Sequence, residues 1–292
     1  MTAPLPPSEL ICGPFGAANG AWTLDLWITL PLAASLALYG AGLTRLWRRA
    51  GAGRGISPRR AACYGAGWLT LLLALVSPIH HWGRELFTIH MIEHELVMAV
   101  AAPLLVLARP GAALTWALPR PFRLRVAAGL RRSGLRALWG AATRPGAATV
   151  LHGIAIWAWH VPLLFEAARA NVALHRLQHI SFLLTGLLFW WALVRRRNPG
   201  LASAHLFATM LHSSILGALI ALAPRVLYPL QTLDAIQWGL MPLQDQQLAG
   251  LIMWIPAGAI YAVAALAFFA SWIRRAGQGT PVIGLETGVA AP

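Results

Sequence analysis

Two pairs of histidines have the spacing that allows a helix to hold a metal ion. His90 and His94 lie in an apolar run over residues 86–108, and His175 and His179 begin another apolar run. Side chains four residues apart lie one above the other on the same face of a helix, so each pair can direct two imidazoles at one ion. Imidazole binds copper, zinc, iron and nickel. The sequence therefore predicts a metal site, and the other elements are expected to bring the two pairs together.

The composition predicts that these pairs lie in a membrane. Of the 292 residues 58% are hydrophobic and only 11% are charged, whereas about 25% of the residues of a soluble domain are charged. Apolar stretches long enough for a membrane span, about 20 residues each, recur along the chain. We predict an all-α polytopic membrane helix bundle with seven transmembrane helices. They lie at about 24–46, 61–77, 86–108, 147–165, 173–194, 204–223 and 246–272.

The arginines predict how the bundle is inserted. All 23 basic residues are arginine, and 19 of them fall in alternate connections, after the first, third, fifth and seventh spans. Because basic residues accumulate on the cytoplasmic side, we expect the N-terminus outside and the C-terminus in the cytoplasm. Cys12 and Cys63 then lie on opposite sides of the membrane, so we expect no disulfide between them.

One membrane domain, residues 24–272, accounts for most of the chain. It is flanked by an extracytoplasmic tail at 1–23 and by a cytoplasmic tail at 273–292 that we expect to be disordered. The connection at 109–146 carries eight arginines among apolar residues, which is typical of amphipathic helices on a lipid surface; we predict one or two. The net charge of +14 is also compatible with nucleic acid, but the alternating arginines favour membrane lipids as the partner and no nucleic acid.

The predicted orientation places most histidines in one layer near the outer face. An ionisable group in the hydrocarbon costs about 2.5–3.5 kcal/mol or more, so it usually serves a function or has a partner. We expect Glu166 and Gln246 to support the site, and Met253 to add a soft thioether that favours Cu(I). The candidate metal ligands are His90, His94, His160, His175, His179, Glu93, Asp245 and Met253.

The remaining histidines are ambiguous or structural. We interpret His152 and His205 as packing residues. His212, at mid-span, is equally compatible with packing and with a functional role. His80 and His81 lie in a short predicted loop at 79–85, where solvation and metal binding are equally plausible readings.

Four stretches in order resemble the multi-pass CtaG family, which assembles caa-three-type cytochrome c oxidases. The first runs from His90 through His94 to the segment 102–110, APLLVLARP. The others are 159–168, WHVPLLFEAA; 175–191, which starts HRLQH; and 245–254, DQQLAGLIMW. Glu93 and Glu95 depart from the Gln and Met expected in many members. The resemblance implies a bacterial plasma-membrane protein that matures a haem–copper oxidase, with copper as cargo and oxidase subunits or other assembly factors as partners.

Other functions remain open at this point. An intramembrane zinc hydrolase would use three histidines, a carboxylate and a metal-bound water. A haem-binding cytochrome would need one histidine from each of two helices. Two histidines four residues apart on one helix are not what such a haem site requires. A transporter or proton channel using His212 is disfavoured because no inverted repeat or pair of interrupted helices is visible.

Overall fold

The computed structural model describes residues 22–195 and 198–277, and within these ranges all regular structure is helical. By length and composition, five helices could cross a membrane, or up to seven if each of two bent helix pairs forms one span. The all-α membrane fold is thus confirmed, while the count of seven and the direction of insertion stay predictions. Most of the tail at 1–23, including Cys12, lies outside the described residues. So does the tail from 278 to 292.

Most of the helices follow one another with short connections, and the longest connection covers 222–241. The first half contains α1 (Leu26–Ala50), α2 (Pro58–Leu75), α3 (Pro78–Glu85), α4 (Phe87–Glu95), a π-helical stretch (Leu96–Ala101), α5 (Ala102–Ala108), α6 (Gly111–Ala117), α7 (Arg120–Arg132) and α8 (Leu135–Ala142). The second half contains α9 (Pro145–Trp159), α10 (Pro162–Ala170), α11 (Val172–Arg195), α12 (Pro199–Ala221), α13 (Pro242–Trp254) and α14 (Pro256–Gly277), with a 3₁₀ turn at Ala235–Trp238. The helix α14 extends over 273–277, so this part of the tail is helical, whereas the sequence predicts disorder there.

The predicted loop at 79–85 is in fact the helix α3. Ser77 accepts a hydrogen bond from the backbone N–H of Ile79 at 3.2 Å, and Pro78 occupies the first helical position. A Ser cap followed by proline starts a helix because the cap satisfies a free N–H and proline has none to satisfy. Helices α2 and α3 meet at an angle of 42°. This bend carries His80 inward, where it is buried.

The predicted fourth span is broken close to a candidate ligand. Helix α9 ends at Trp159 and α10 begins at Pro162, with an angle of 73° between them. Proline lacks the N–H that would continue the helix and disfavours helical geometry in the residue before it. His160 therefore sits at the end of α9, where the chain turns.

The arginine-rich connection forms three helices rather than the one or two predicted. Helix α6 packs against α1, and a side chain at Gly42 would collide with the backbone of Ala113. Helices α7 and α8 contain no buried residue, which agrees with the exposed, amphipathic character predicted for this segment. Their contact with lipid stays a prediction.

The helix that carries His90 and His94 is central to the bundle. Of the five candidate spans, Phe87–Ala108 has the largest buried share and α1 the smallest. Phe87, Met91 and Met98 belong to an apolar cluster to which α9 through α13 also contribute. Packing on all sides fixes the orientation of this helix, so its two histidines are held in place by the core.

Candidate metal centre

Three buried imidazoles from two helices meet as the sequence predicts. His90 on α4 and His175 and His179 on α11 each offer a ligand atom, and these atoms lie within 4.8 Å of one another. The Nε2 atoms of His175 and His179 are 3.2 Å apart. Two nitrogens bound to one tetrahedral ion at about 2.0 Å would be about 3.3 Å apart. The pair on α11 is therefore spaced as two ligands of one ion would be, and His90 supplies a third.

The other two predicted imidazoles lie next to this group. The ring centroid of His94 is 4.2 Å from that of His90 and 5.1 Å from that of His179. The ring of His160 is 6.0 Å from the ring of His94. All five predicted histidines thus belong to one buried layer, with His94 between the three-histidine group and His160.

His80 is a member of this layer that the sequence left undecided. Its Nδ1 is 2.7 Å from Oε1 of Glu93, and its ring is 5.6 Å from the ring of His175. Glu93 is fully buried and also lies 3.6 Å from Nε2 of His179. A sequence signal for this placement exists. Ser77 and Pro78 predict that a helix begins before His80, and this helix packs against α4.

Two of these imidazoles, His80 and His160, have the hydrogen-bond pattern of metal-binding histidines. A metal-bound histidine usually donates its second ring N–H to a carboxylate or a backbone carbonyl, which fixes the tautomer. Nδ1 of His160 is 2.6 Å from the carbonyl oxygen of Ile156, and Nδ1 of His80 faces Glu93. A proton on Nδ1 leaves Nε2 of His160 with a lone pair.

Some buried ring nitrogens in the layer have no partner. Among the described residues, none donates to or accepts from Nε2 of His90, Nε2 of His160 or either ring nitrogen of His94. Burying an unpaired polar group costs about 1–3 kcal/mol. A bound cation would satisfy these lone pairs, so the arrangement fits a metal better than packing alone.

The connection between α12 and α13 closes the layer from one end. The hydroxyl of Tyr228 donates to the carbonyl oxygen of His160 at 2.6 Å, and Nε2 of Gln231 donates to the carbonyl oxygen of Gly83 at 2.9 Å. Glu166 accepts from the backbone N–H of Leu230 at 2.9 Å. Glu166 thus supports the site indirectly, by holding this connection. Burial raises the pKa of Tyr228.

Asp245 has a different role from the predicted one. Its Oδ2 accepts from the backbone N–H of Phe87 at 2.7 Å, and its Oδ1 accepts from the N–H of Thr88 at 2.9 Å and from the Thr88 hydroxyl at 2.7 Å. Both oxygens are therefore occupied at the N-terminus of α4, where a carboxylate is favoured by the free N–H groups. We remove Asp245 from the ligand set, because it positions the helix that carries His90 and His94.

Gln246 also has a structural role, and Met253 lies in the apolar core, where its role as a ligand stays a prediction. Gln246 Oε1 accepts from the N–H of Leu227 at 2.6 Å and its Nε2 donates to the carbonyl oxygen of Arg225 at 3.1 Å. Met253 lies in the apolar cluster with Phe87. Gln246 therefore anchors the closing connection, and Met253 has a packing role in the core.

The remaining histidines lie elsewhere. His152 has its Nδ1 3.1 Å from the Thr185 hydroxyl, and His205 has its Nδ1 3.0 Å from the Thr149 hydroxyl. His212 accepts from the indole N–H of Trp157 at 3.3 Å. Side-chain partners of this kind agree with the packing interpretation of His152 and His205.

A deep apolar groove reaches the histidine layer from the side. It has a volume of about 1470 Å³ and lies between α1, α2, α5, α8 and α11, with His80, His175 and His179 in its wall. At that end of the groove Arg176 donates to Oδ2 of Asp25 from Nη2 at 2.7 Å and from Nε at 3.0 Å. Two of the three clustered histidines, His175 and His179, therefore border this groove.

Comparison with protein families gives a match over most of the chain. Residues 37–275 match the cytochrome c oxidase caa3 assembly factor family, Caa3_CtaG. Searches of curated proteins and of solved structures found no match. The matched region contains every histidine in the layer described above. The chain therefore belongs to the family of cytochrome c oxidase caa3 assembly factors.

Proposed function

We propose that the chain binds copper through His90, His175 and His179 and delivers it to a caa3-type oxidase during assembly. The observation that carries the proposal is the meeting of three buried imidazoles within 4.8 Å in a member of an oxidase assembly family. Assembly of an oxidase implies association with the oxidase or its assembly machinery. Three imidazoles without a thiolate form an exchangeable site for a copper ion that must be released.

The choice of copper rests on the family together with the ligands. Imidazole accepts zinc as readily as copper, so the ligand set alone leaves the metal open. A haem–copper oxidase needs copper inserted, which gives the assembly role a direct use for a copper site. The bacterial plasma membrane is the expected location of such a factor.

The intramembrane zinc hydrolase is not supported. The family match is to an assembly factor, and both oxygens of Asp245 and one oxygen of Glu93 already have partners, whereas Oε2 of Glu93 has none among the described residues. Both oxygens of Asp245 hold the start of α4, and Glu93 pairs with His80. A hydrolase needs a carboxylate that can take a proton from a metal-bound water.

The lateral groove supports release within the membrane. His175 and His179 lie in its wall, so an ion held by them is close to a lipid-facing opening. The partner that receives the ion is the oxidase, whose membrane-embedded part can reach this side of the bundle without passing through water.

Metal content of purified protein tests the proposal. Protein loaded anaerobically with Cu(I) and desalted should retain copper by mass spectrometry, and His175→Ala/His179→Ala should lose at least one copper per chain. His205→Ala is the matched control, because His205 lies outside the layer and bonds to Thr149. Absence of copper from the folded wild-type protein would overturn the proposal. Stoichiometric zinc after purification, lost in the double variant, would favour the hydrolase.

A further inference from the structure

The histidine layer separates into two ligand groups of different geometry. The three nitrogens that lie within 4.8 Å of one another belong to His90, His175 and His179. The rings of His94 and His160 are 6.0 Å apart, and neither residue is part of that group. Both are almost fully buried, with 1% and 3% of their surface exposed.

The distance between these two rings suits one ion between them. With nitrogen–metal bonds of about 2 Å, two imidazoles on opposite sides of one linearly coordinated ion have ring centroids about 6 Å apart. Nδ1 of His160 is occupied by the carbonyl oxygen of Ile156, so its Nε2 carries the lone pair. Nε2 of His160 and both nitrogens of His94 have no partner among the described residues. A linear arrangement of two soft or borderline ligands is typical of Cu(I).

The surroundings of the two groups differ in charge. Glu93 is 3.6 Å from Nε2 of His179 and places a carboxylate beside the three-histidine group. The rings next to His94 and His160 are those of Phe182, at 4.7 Å and 6.1 Å, and Phe165, at 6.1 Å from His160. Such apolar rings disfavour a doubly charged ion and suit a singly charged one.

From these observations we infer that the protein has a second Cu(I) site, formed by His94 and His160, next to the three-histidine site. This inference rests on the proposed copper function and extends it. A protein with both sites holds two Cu(I) ions per chain at saturation. The second ion binds more weakly, because two like charges repel each other strongly in a low-dielectric interior. His94, adjacent to both groups, lets an ion pass between them.

Titration with Cu(I) against a chromophoric chelator, with copper counted by mass spectrometry, tests the inference. The wild-type protein should bind two Cu(I), and His160→Ala and His160→Gln should each bind one. The double variant His175→Ala/His179→Ala should also bind one. His152→Ala should still bind two; His152 is the matched control because it lies on the same helix as His160, is fully buried and also has an unpartnered ring nitrogen.

X-ray absorption gives a second readout, which reports the number of ligands on each ion and not the number of ions bound. The double variant loaded with one Cu(I) should show the pre-edge feature of two-coordinate Cu(I), and His160→Ala should show a three-coordinate ion. Wild-type protein that saturates at one Cu(I), or His160→Ala that binds none although folded by size-exclusion chromatography and circular dichroism, would overturn the second site. If the wild-type protein saturates at one Cu(I) and His175→Ala/His179→Ala loses that ion, the second site is wrong but the proposed function stands. A folded wild-type protein that binds no copper would overturn both.

Discussion

Substitution of Asp245 distinguishes a helix cap from a metal ligand. Loss of a cap lowers the stability of the protein, whereas loss of a ligand lowers its copper content. Asp245→Ala removes the acceptor for the N–H groups of Phe87 and Thr88 at 2.7 Å and 2.9 Å. Loss of an N-cap costs about 0.5–2 kcal/mol, and a buried donor left without a partner costs about 1–3 kcal/mol. We expect Asp245→Ala to lower the free energy of unfolding by about 1.5–5 kcal/mol, the sum of these terms.

Asp245→Asn should be intermediate. It keeps one amide oxygen for Thr88 but turns an NH₂ group towards the N–H of Phe87, so we expect a loss of about 1–3 kcal/mol. Unfolding of metal-free protein in mixed detergent micelles, titrated with sodium dodecyl sulfate and followed by tryptophan fluorescence, measures both variants. Asp234→Asn is the control, because the Asp234 carboxylate is partly exposed and 3.8 Å from Arg169; it should change stability by less than about 1 kcal/mol.

Copper binding then separates the two roles. If Asp245 is a cap, Asp245→Asn that is folded should bind as many Cu(I) ions as the wild type. The reasoning is refuted if Asp245→Asn unfolds like the wild type but loses copper, because the carboxylate would then be a ligand, as the sequence alone suggested.

Three further predictions concern the elements around the site. Gly250→Ala should destabilise the bundle by more than about 2 kcal/mol, because the new Cβ would lie 2.5 Å from the backbone nitrogen of Ala221. Gly140→Ala is the control: a Cβ there would meet nothing within 4 Å, so the same unfolding titration should show no change. Burial raises the pKa of Tyr228, so the unfolded state loses the phenol proton first and stability should fall as the pH rises above about 10. Tyr228→Phe should show a smaller loss between about pH 10 and pH 12, and an unchanged loss would contradict this assignment. Arg176→Gln breaks the ion pair with Asp25 and should speed amide hydrogen exchange in α1 without reducing copper content; unchanged exchange would show that the contacts of α1 with α2 and α6 are enough to hold it.

Local sequence patterns were enough to predict much of this protein. The apolar runs predicted a helical membrane bundle because a bilayer requires helices whose backbone groups are paired internally. The two pairs at a spacing of four predicted which faces of α4 and α11 carry imidazoles, because that geometry belongs to a single helix. The residues of the four family-like stretches and the order of these stretches predicted the family. The match over residues 37–275 confirms this prediction.

Contacts between distant segments were beyond these patterns. The sequence places the acidic Asp245 next to the predicted outer end of the seventh span. Only the packing of α13 against α4 shows that Asp245 caps a helix that begins more than 150 positions earlier. The sequence predicts a loop around His80, whereas the bend between α2 and α3 places His80 against Glu93.

The sequence by itself thus determined the composition of the site, and the tertiary structure decided its grouping. Which imidazoles share an ion depends on helix–helix distances of a few ångströms, and those distances are set by packing. The turn at Pro162 places His160 at the end of α9, and the packing on α11 of the π-helical stretch and α5, which continue α4, brings His90 to the α11 pair. Spacing along one helix fixes which residues lie on its face, whereas the core fixes what that face meets.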